Sequence, residues 1–493
     1  MSIVLVAESK DDWLGHLEGL QTVDPRDYLA DPGAHSKRGS RVYNLCRSYA
    51  YQSLGYYVSL LAEARGQRPI PDVMAMQDLQ GTSAVRLLPP SLEELIQKSL
   101  QSLTADDFVL SVYFGENLAK KYERLATELY GLFQSPLLRF KFSRRGGKWR
   151  LRRGSAIALN DVPASHREFV AAAAGRHFGR RSLARRKRPT ARYDLAILHN
   201  PEEGELAPSN SLALKKFIKA AASVGIEAEL ITRHDAHRLL EFDALFIRET
   251  TSVSHHTYRL ARRAEAAGMV VIDDPLSILR CTNKVYLSEL LTRAKVPTPR
   301  TMIVHRRNAD TVAAQISFPC VLKQPDSAFS QGVSRADSPA EFRERLAELF
   351  SRSELVIVQE YMRTDFDWRI GILDGRPMFA AKYHMARGHW QIAKHSGNGQ
   401  KPSFGKCETL PVELAPRKAV AVALKAANLI GNGLYGVDVK ELDGNFYIVE
   451  VNDNPNLDAG AEDALLRDEL YRRIMESFVR RIEATKQTTP AQR

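Results

Sequence analysis

Near its C-terminal end the chain reads Tyr435-Gly-Val-Asp438-Val-Lys-Glu-Leu-Asp443-Gly444-Asn-Phe-Tyr-Ile-Val-Glu450-Val-Asn452-Asp-Asn-Pro455. Asp438 lies in an alternating run between Val437 and Val439, and Asp443-Gly444 is a hairpin turn signal between two strand-like runs. In the second run Glu450 and Asn452 are two residues apart, so both side chains point to one face. The opposite face, Tyr447, Val449 and Val451, is apolar, and Asn454-Pro455 stops the strand just past the polar pair. With Asp438 facing them from the partner strand, two carboxylates and an amide oxygen converge. Such a hard-oxygen set suits Mg²⁺ or Mn²⁺, whose shell is completed by water and nucleotide phosphates. The competing reading is a polar strand face in water; the apolar reverse face and the abrupt stop favour the metal.

The same stretch resembles the closing motif of the ATP-grasp carboxylate–amine ligases, and further motifs upstream extend the likeness. Asp274-Pro275 through Asn283-Lys284, followed by a helical run ending at Val296-Pro297-Thr-Pro299, looks like the Asn-Lys helix of RimK-type ligases. There the resemblance makes Lys284 a residue that reaches ATP. Phe318-Pro319-Cys-Val-Leu-Lys323 looks like the strand carrying a second ATP lysine. Ser327 to Val333, with Gln331-Gly332, stands where the family has a small-residue loop over the phosphates, but with one glycine where several are common. Val356-Ile-Val-Gln359-Glu360-Tyr361-Met362 resembles the hinge that takes adenine through main-chain groups, and Asp365-Phe-Asp367-Trp-Arg369 the following strand. Six motifs in order over about residues 273–480 are specific where any one would be weak.

Elementary chemistry agrees with what the resemblance implies. Phosphoryl transfer from ATP needs charge neutralised at the γ-phosphate and an acceptor held in line. Two ions held by Asp438, Glu450 and Asn452 would clamp the β- and γ-phosphates, with Lys284 and Lys323 as point charges opposite. Taken alone, Lys284 reads as a solvated helix residue. Lys323 follows Val321-Leu322 in an apolar strand, where an ammonium without an anion would be costly.

At 493 residues, with 44% hydrophobic and 26% charged residues, the chain has an ordinary globular composition for about two to four domains. It lacks an apolar run of about 18 residues, so a membrane partner is not expected. Met1–Lys10 reads as a first strand rather than a signal peptide. Cys46, Cys281, Cys320 and Cys407 are far apart, without metal spacing or a disulfide framework, which points to buried thiols and the cytoplasm.

The net charge of +12 is uneven. Residues 139–188 carry sixteen Lys and Arg against Asp161 and Glu168, a local net of +14, leaving the remainder at −2. Within them an alternating hairpin turns at Gly146-Gly147, with Phe140, Phe142, Trp149 and Leu151 inward and Arg139, Lys141, Arg150 and Arg152 outward. The later run around Arg185 reads as a basic linker. It is either a solvated connector or, with the hairpin, a docking surface for an acidic peptide, a nucleic acid or ribosomal RNA.

The expected fold class is α/β, with an α+β grasp domain. Residues 1–155 form an α/β unit, with strands near 3–7 and 108–113 and helices near 41–65, 91–103 and 116–133. This unit resembles the N-terminal domain fused to RimK-like grasp proteins. In it Tyr56, Leu60 and Ala64 are expected as a core face, with Arg47, Tyr49 and Glu63 as polar candidates. A basic linker (156–189) leads to a βαβ-patterned parallel-sheet domain (190–275), the pre-ATP-grasp domain of the resemblance. The ATP-grasp domain (276–484) and a disordered tail (485–493) follow. Arg248-Glu249-Thr250 ends a strand, where open α/β sheets place ligand contacts or simply a polar exit.

The resemblance implies an ATP-dependent ligase that converts a carboxylate to an acylphosphate and then to an amide. ATP and two Mg²⁺ or Mn²⁺ ions are the expected cofactors, and glutamate or another amino acid with a peptide or protein acceptor the expected substrates. Arg369 and Arg387 are the candidate oxyanion clamps, since guanidinium binds carboxylate and phosphate bidentately; each could equally be a surface salt bridge. The rivals are a small-molecule ligase of the glutathione-synthase kind and an RNA- or ribosome-binding protein with a vestigial grasp fold. Homo-oligomerisation is left open.

Overall fold

The computed structural model describes residues 3–8, 21–31, 40–79, 88, 90–187, 191–326, 332–394 and 403–487. They fall into two compact units, one of residues 1–193 with 234–241 and 483–493, the other of 194–233 with 242–482.

The first unit holds a four-stranded parallel sheet, ordered Gln21–Val23, Ile3–Val6, Arg41–Asn44, Arg68–Ile70. The helix expected over 41–65 is therefore a strand at 41–44 and a shorter helix at Leu54–Ala64. All four residues of Arg41–Asn44 are buried, and a strand inside a parallel sheet gives no polar alternation to betray it. The helix also turns a different face inward than Tyr56, Leu60 and Ala64: its buried residues are Gly55, Val58, Ser59 and Ala62, while Leu60 is exposed. Small residues decide this. Asn44 Nδ2 donates to Gly55 O at 2.7 Å and to Ser59 Oγ at 2.9 Å, and a Cβ on Gly55 would stand 2.4 Å from Ser48 O.

An antiparallel sheet of Asp107–Tyr113, Leu137–Arg145 and Lys148–Ala156 completes the unit. Its hairpin turns at Gly146-Gly147, both at positive φ, and buries Phe140, Phe142, Trp149 and Leu151. Lys141, Arg150 and Arg152 are exposed, and Arg139 Nη2 donates to Asp161 O at 2.9 Å. The segment read as a basic linker contains a helix, Arg167–Lys187, whose Val170, Ala173, Ala174 and Phe178 join the core around Tyr43 and Tyr113. The Arg185 side chain lies outside the described residues. The polar candidates here serve the fold. Arg47 pairs with Glu8, Tyr49 donates to Asn44 O, and Glu63 accepts from Val73 N–H.

The second unit starts with the sheet Val270–Ile272, Ala244–Arg248, Tyr193–His199, Ile226–Ile231, with helices Ser211–Ser223 and His256–Ala266 between its strands. The first three strands pair in parallel. Two antiparallel sheets follow. The smaller is ordered Thr301–Val304, Val356–Glu360, Cys320–Lys323, Val333–Ala336. The larger is ordered Cys407–Leu410, Arg376–His384, Phe366–Leu373, Leu434–Leu442, Asn445–Asn452. Helix Arg417–Ile430 covers the larger sheet with Ala419, Ala423, Ala426 and Ala427, whose small side chains let it lie close to Ile370, Val437 and Val451. The four cysteines are free thiols, three of them buried. Among the described residues, no helix is long and apolar enough to cross a membrane. The tail expected at 485–493 begins inside helix Asp468–Gln487, and 488–493 lie outside the described residues.

Candidate active site

The hairpin of the opening motif forms, with Asp443-Gly444 turning at positive φ between the last two strands. The register shifts at Asp438/Val439, however, so Phe446, Ile448 and Val451 enter the core while Val449, expected on the apolar reverse face, lines the site's cavity. The strand register sets Asp438 opposite Glu450 and Gly436 opposite Asn452. Asn452 Nδ2 donates to Asp438 Oδ2 and to Gly436 O, each at 3.2 Å. That use of its nitrogen leaves the amide oxygen for a cation. Arg369, on the neighbouring strand opposite Asp438, closes a fork on that carboxylate, with Nη2 donating to Oδ2 at 3.0 Å and Nε to Oδ1. Burial pushes the Asp438 carboxyl up, and Arg369 only partly counters it. Burial also pushes Glu450 up, but Lys284 and Lys323 outweigh it and hold this carboxyl below its usual range. Glu450 is thus an anion at neutral pH. Two carboxylates and an amide oxygen on one face fit a hard divalent cation.

The lysines arrive from two separate elements. Asn283 caps helix Lys284–Arg293, its Oδ1 accepting Tyr286 N–H at 3.0 Å, which puts Lys284 in the first helical position. Lys284 Nζ lies 2.9 Å from Glu450 Oε1. Lys323 ends its strand and donates from Nζ to Gln359 Oε1 at 2.8 Å, while Gln359 Nε2 donates to Thr301 Oγ1 at 2.9 Å. Burial pulls the Lys323 ammonium down to about 8, with Lys284 and Lys440 adding to the effect and Glu450 opposing it. Lys440 is a third cation here. Its Nζ lies 2.6 Å from Asp367 Oδ1 and 2.7 Å from Thr364 Oγ1, so Asp367 anchors a lysine.

These groups line one cavity of about 650 Å³ within the second unit. All the site residues expected from sequence line it except Arg387, Gly332 and Gln331, the last of which lies outside the described residues. Gly332 keeps a positive φ of 69° beside it and accepts Gln324 N–H through its carbonyl. Along the hinge, Glu360 N–H is taken by Arg300 O, Met362 is buried, and the Tyr361 ring meets Trp390 edge-on at 5.9 Å.

Arg387 is exposed, contrary to its expected role as a clamp. It lies in a tight turn that His389 N–H closes on Ala386 O, through Gly388 at φ 69°, and it does not line the cavity. Arg248 is likewise no ligand contact. Fully buried, it donates to Ser209 Oγ at 3.0 Å, Asn454 Oδ1 at 2.6 Å, Pro455 O at 2.8 Å and Pro208 O, bracing the loop that follows the strand Asn445–Asn452.

Other cavity residues were not singled out from sequence. Lys440 is two residues from Asp438 on the same strand face, so the alternation that exposed Glu450 and Asn452 could have exposed it too. Tyr383 stacks beneath the Arg369 guanidinium at 4.8 Å and donates to Glu462. Asp453 and Asp458 join Glu462 on that side, and burial pushes the Asp453 carboxyl up to about 7. The cavity therefore holds these three carboxyls besides the cations Lys284, Lys323, Lys440 and Arg369 and their paired acids.

Residues 281–466 match the model of the RimK-like ATP-grasp domain, and residues 25–173 that of the RimK-like ATPgrasp N-terminal domain. A probable alpha-L-glutamate ligase of Teredinibacter turnerae is 26% identical over 240 residues, 48% of this chain and 76% of the relative. The alpha-aminoadipate–LysW ligase LysX of Saccharolobus solfataricus is 26% identical over 222 residues, 43% of this chain and 75% of the relative. Among solved structures, the D-alanine–D-alanine ligase of Bacillus anthracis covers 60% of this chain and 99% of its own, at 17% identity and a TM-score of 0.47.

Proposed function

The chain is a RimK-like ATP-grasp ligase, an enzyme of ATP-dependent amide-bond formation, and on that premise we propose that it adds glutamate or another amino acid to a peptide or protein acceptor. The observation that carries this reading is the convergence of Lys284, Lys323, Asp438, Glu450 and Asn452 on one cavity. The relatives named as glutamate and LysW ligases support the choice of substrates.

In this reading the adenine edge meets the main chain of Glu360 to Met362, and Lys284 and Lys323 meet the phosphates, beneath a loop containing Gln331 and Gly332. Asp438, Glu450 and Asn452 hold two Mg²⁺ or Mn²⁺ ions, which when bound neutralise charge on the β- and γ-phosphates. A substrate carboxylate oxygen attacks the γ-phosphorus, and ADP leaves. The ammonium of the second substrate gives one proton to water to become the amine, whose nitrogen attacks the acyl carbon; phosphate departs and takes the second proton from that nitrogen. Arg369 is poised by Asp438 and Tyr383 to face the acyl phosphate oxygens, and the carboxyls of Asp453 and Glu462 to take the incoming ammonium. No side-chain nucleophile is required.

We assign residues 190–275 to a pre-grasp domain and 276–484 to the grasp domain. Free, mostly buried thiols suit a reducing compartment, and we take the cytoplasm as the site of action. The test is phosphate release by the purified protein with ATP, Mg²⁺ and pools of amino acids and peptides, with mass spectrometry of the products. Acceptor-dependent phosphate release with a matching amide product is expected. ATP hydrolysis without a coupled product in any pool would count against it.

A further inference from the structure

We propose that Glu249, His255 and His256 bind one divalent transition-metal ion of the zinc type, at a site distinct from the nucleotide's magnesium-type cluster. One ligand atom from each of the three lies within 4.8 Å of the others. Glu249 ends the strand Ala244–Arg248 and is 1% exposed; His255 and His256 open the helix His256–Ala266. The two imidazoles stack with ring centres 3.8 Å apart, and His256 Nε2 touches Glu249 Oε1. Both atoms are buried, and neither has a hydrogen-bond partner beyond this contact with the other. A buried carboxylate and imidazole that meet in this way need a shared proton or a shared cation between them.

The surroundings favour coordination over a plain ion pair. His255 Nδ1 lies 3.2 Å from Thr257 Oγ1, an outer contact that orients the ring and leaves Nε2 for the ion. Two imidazoles and one carboxylate match the three-ligand sets that hold Zn²⁺ with a fourth position open, whereas Mg²⁺ prefers oxygen alone.

Position gives the site a role. Asn454 Nδ2 donates to Glu249 O at 2.6 Å, and Glu203 accepts Thr250 N–H through both carboxylate oxygens at 3.1 Å. Thr250, Thr251 and Ser252, between the ligands in sequence, line the cavity of the lysines and carboxylates. An ion joining Glu249 to the helix start would close this segment into a fixed loop in the wall of that cavity.

The experiment uses untagged full-length protein, with elemental analysis after purification and a Zn²⁺ titration against a chromophoric chelator. One ion per chain is expected, with His255→Ala and His256→Ala each weakening binding by more than the roughly 10- to 100-fold that loss of an outer-shell partner costs. Circular dichroism checks that the variants fold. Should they fail to fold, Co²⁺ loading of the parent protein decides: intense visible d–d bands of four-coordinate cobalt are expected. Zinc affinity unchanged in folded variants, or neither stoichiometric zinc nor cobalt bands in the parent, would overturn the site and leave an ion pair.

Discussion

Lys284 Nζ and Glu450 Oε1 lie 2.9 Å apart, so a residue expected to reach ATP and one expected to hold a metal meet as an ion pair. The pair joins the start of a helix to the final strand of the large sheet. It also explains how a half-buried carboxyl stays ionised: Lys284 and Lys323 overcome the desolvation that would protonate it. Each ion that Glu450 takes would loosen its hold on Lys284 and release that ammonium toward the phosphates.

Glu450→Gln removes the charge and keeps the shape. Turnover in a phosphate-release assay should fall by about 100-fold or more, since the metal's charge stabilisation is worth several kcal/mol. Asp438→Asn and Asn452→Ala should act in the same direction but less severely. Amide formation near the parental rate in the Glu450 variant would remove this residue from the metal site.

Lys323 should impose a pH dependence on nucleotide binding. Its ammonium is pulled down to about 8, so it is charged below that pH and neutral above it. Phosphate binding favours the charged form, so ATP affinity should weaken as pH rises through 8, by up to about tenfold per unit. Lys323→Met should weaken ATP binding at pH 7 more than Lys284→Met does and flatten the profile. Calorimetry across pH 7 to 9.5 would reveal whether the slope persists in the variant.

The uneven legibility of the fold has physical causes. The final hairpin is legible from its turn signal and from the i, i+2 spacing of Glu450 and Asn452, whereas the register shift at Asp438/Val439 leaves no mark in the sequence. Asn283-Lys284 is legible through the resemblance, and the cap at Asn283 is the local signal that stands behind it. Arg41–Asn44 was read as helix because a buried parallel strand carries no alternation. The face of helix Leu54–Ala64 was misassigned because Gly55 and Ser59 face the sheet through close approach and hydrogen bonds, while Leu60 stays outside. Arg248 looked like a ligand contact because its partners, Pro208, Ser209, Asn454 and Pro455, are distant in sequence. Arg387 is expected as a clamp from its residue type within a loop-like segment, and nothing in that segment says on which side of the turn at Gly388 the guanidinium lies.

The Arg369–Asp438 fork should be a stability element as well as a site element. Arg369 is 8% and Asp438 7% exposed. Arg369→Met leaves a buried carboxylate without its cation and should cost about 3–5 kcal/mol. Adding Asp438→Asn should recover part of that loss, because the residual charge goes with it. Urea unfolding of the two single variants and the double variant measures the coupling. Additive losses would mean that the two side chains do not depend on each other.

The cationic hairpin belongs to the first unit, whereas the residues expected to serve phosphoryl transfer line a cavity of the second. Its inward side is occupied by Phe140, Phe142, Trp149 and Leu151, so the exposed Lys141, Arg150 and Arg152 can change without disturbing the core. If the acceptor is acidic, these charges act on its association, an effect screened over about 8 Å at physiological salt. Reversing all three to Glu should raise KM for the acceptor, leave kcat and ATP affinity nearly unchanged, and flatten the dependence of kcat/KM on salt. Arg139 is better left in place, because its bond to Asp161 O ties the hairpin to the segment that follows. Unchanged acceptor KM at low salt in the reversed variant would reduce the hairpin to a solvated face. A fall in kcat with KM unchanged would instead indicate a contact made only in the transition state, which steering cannot produce.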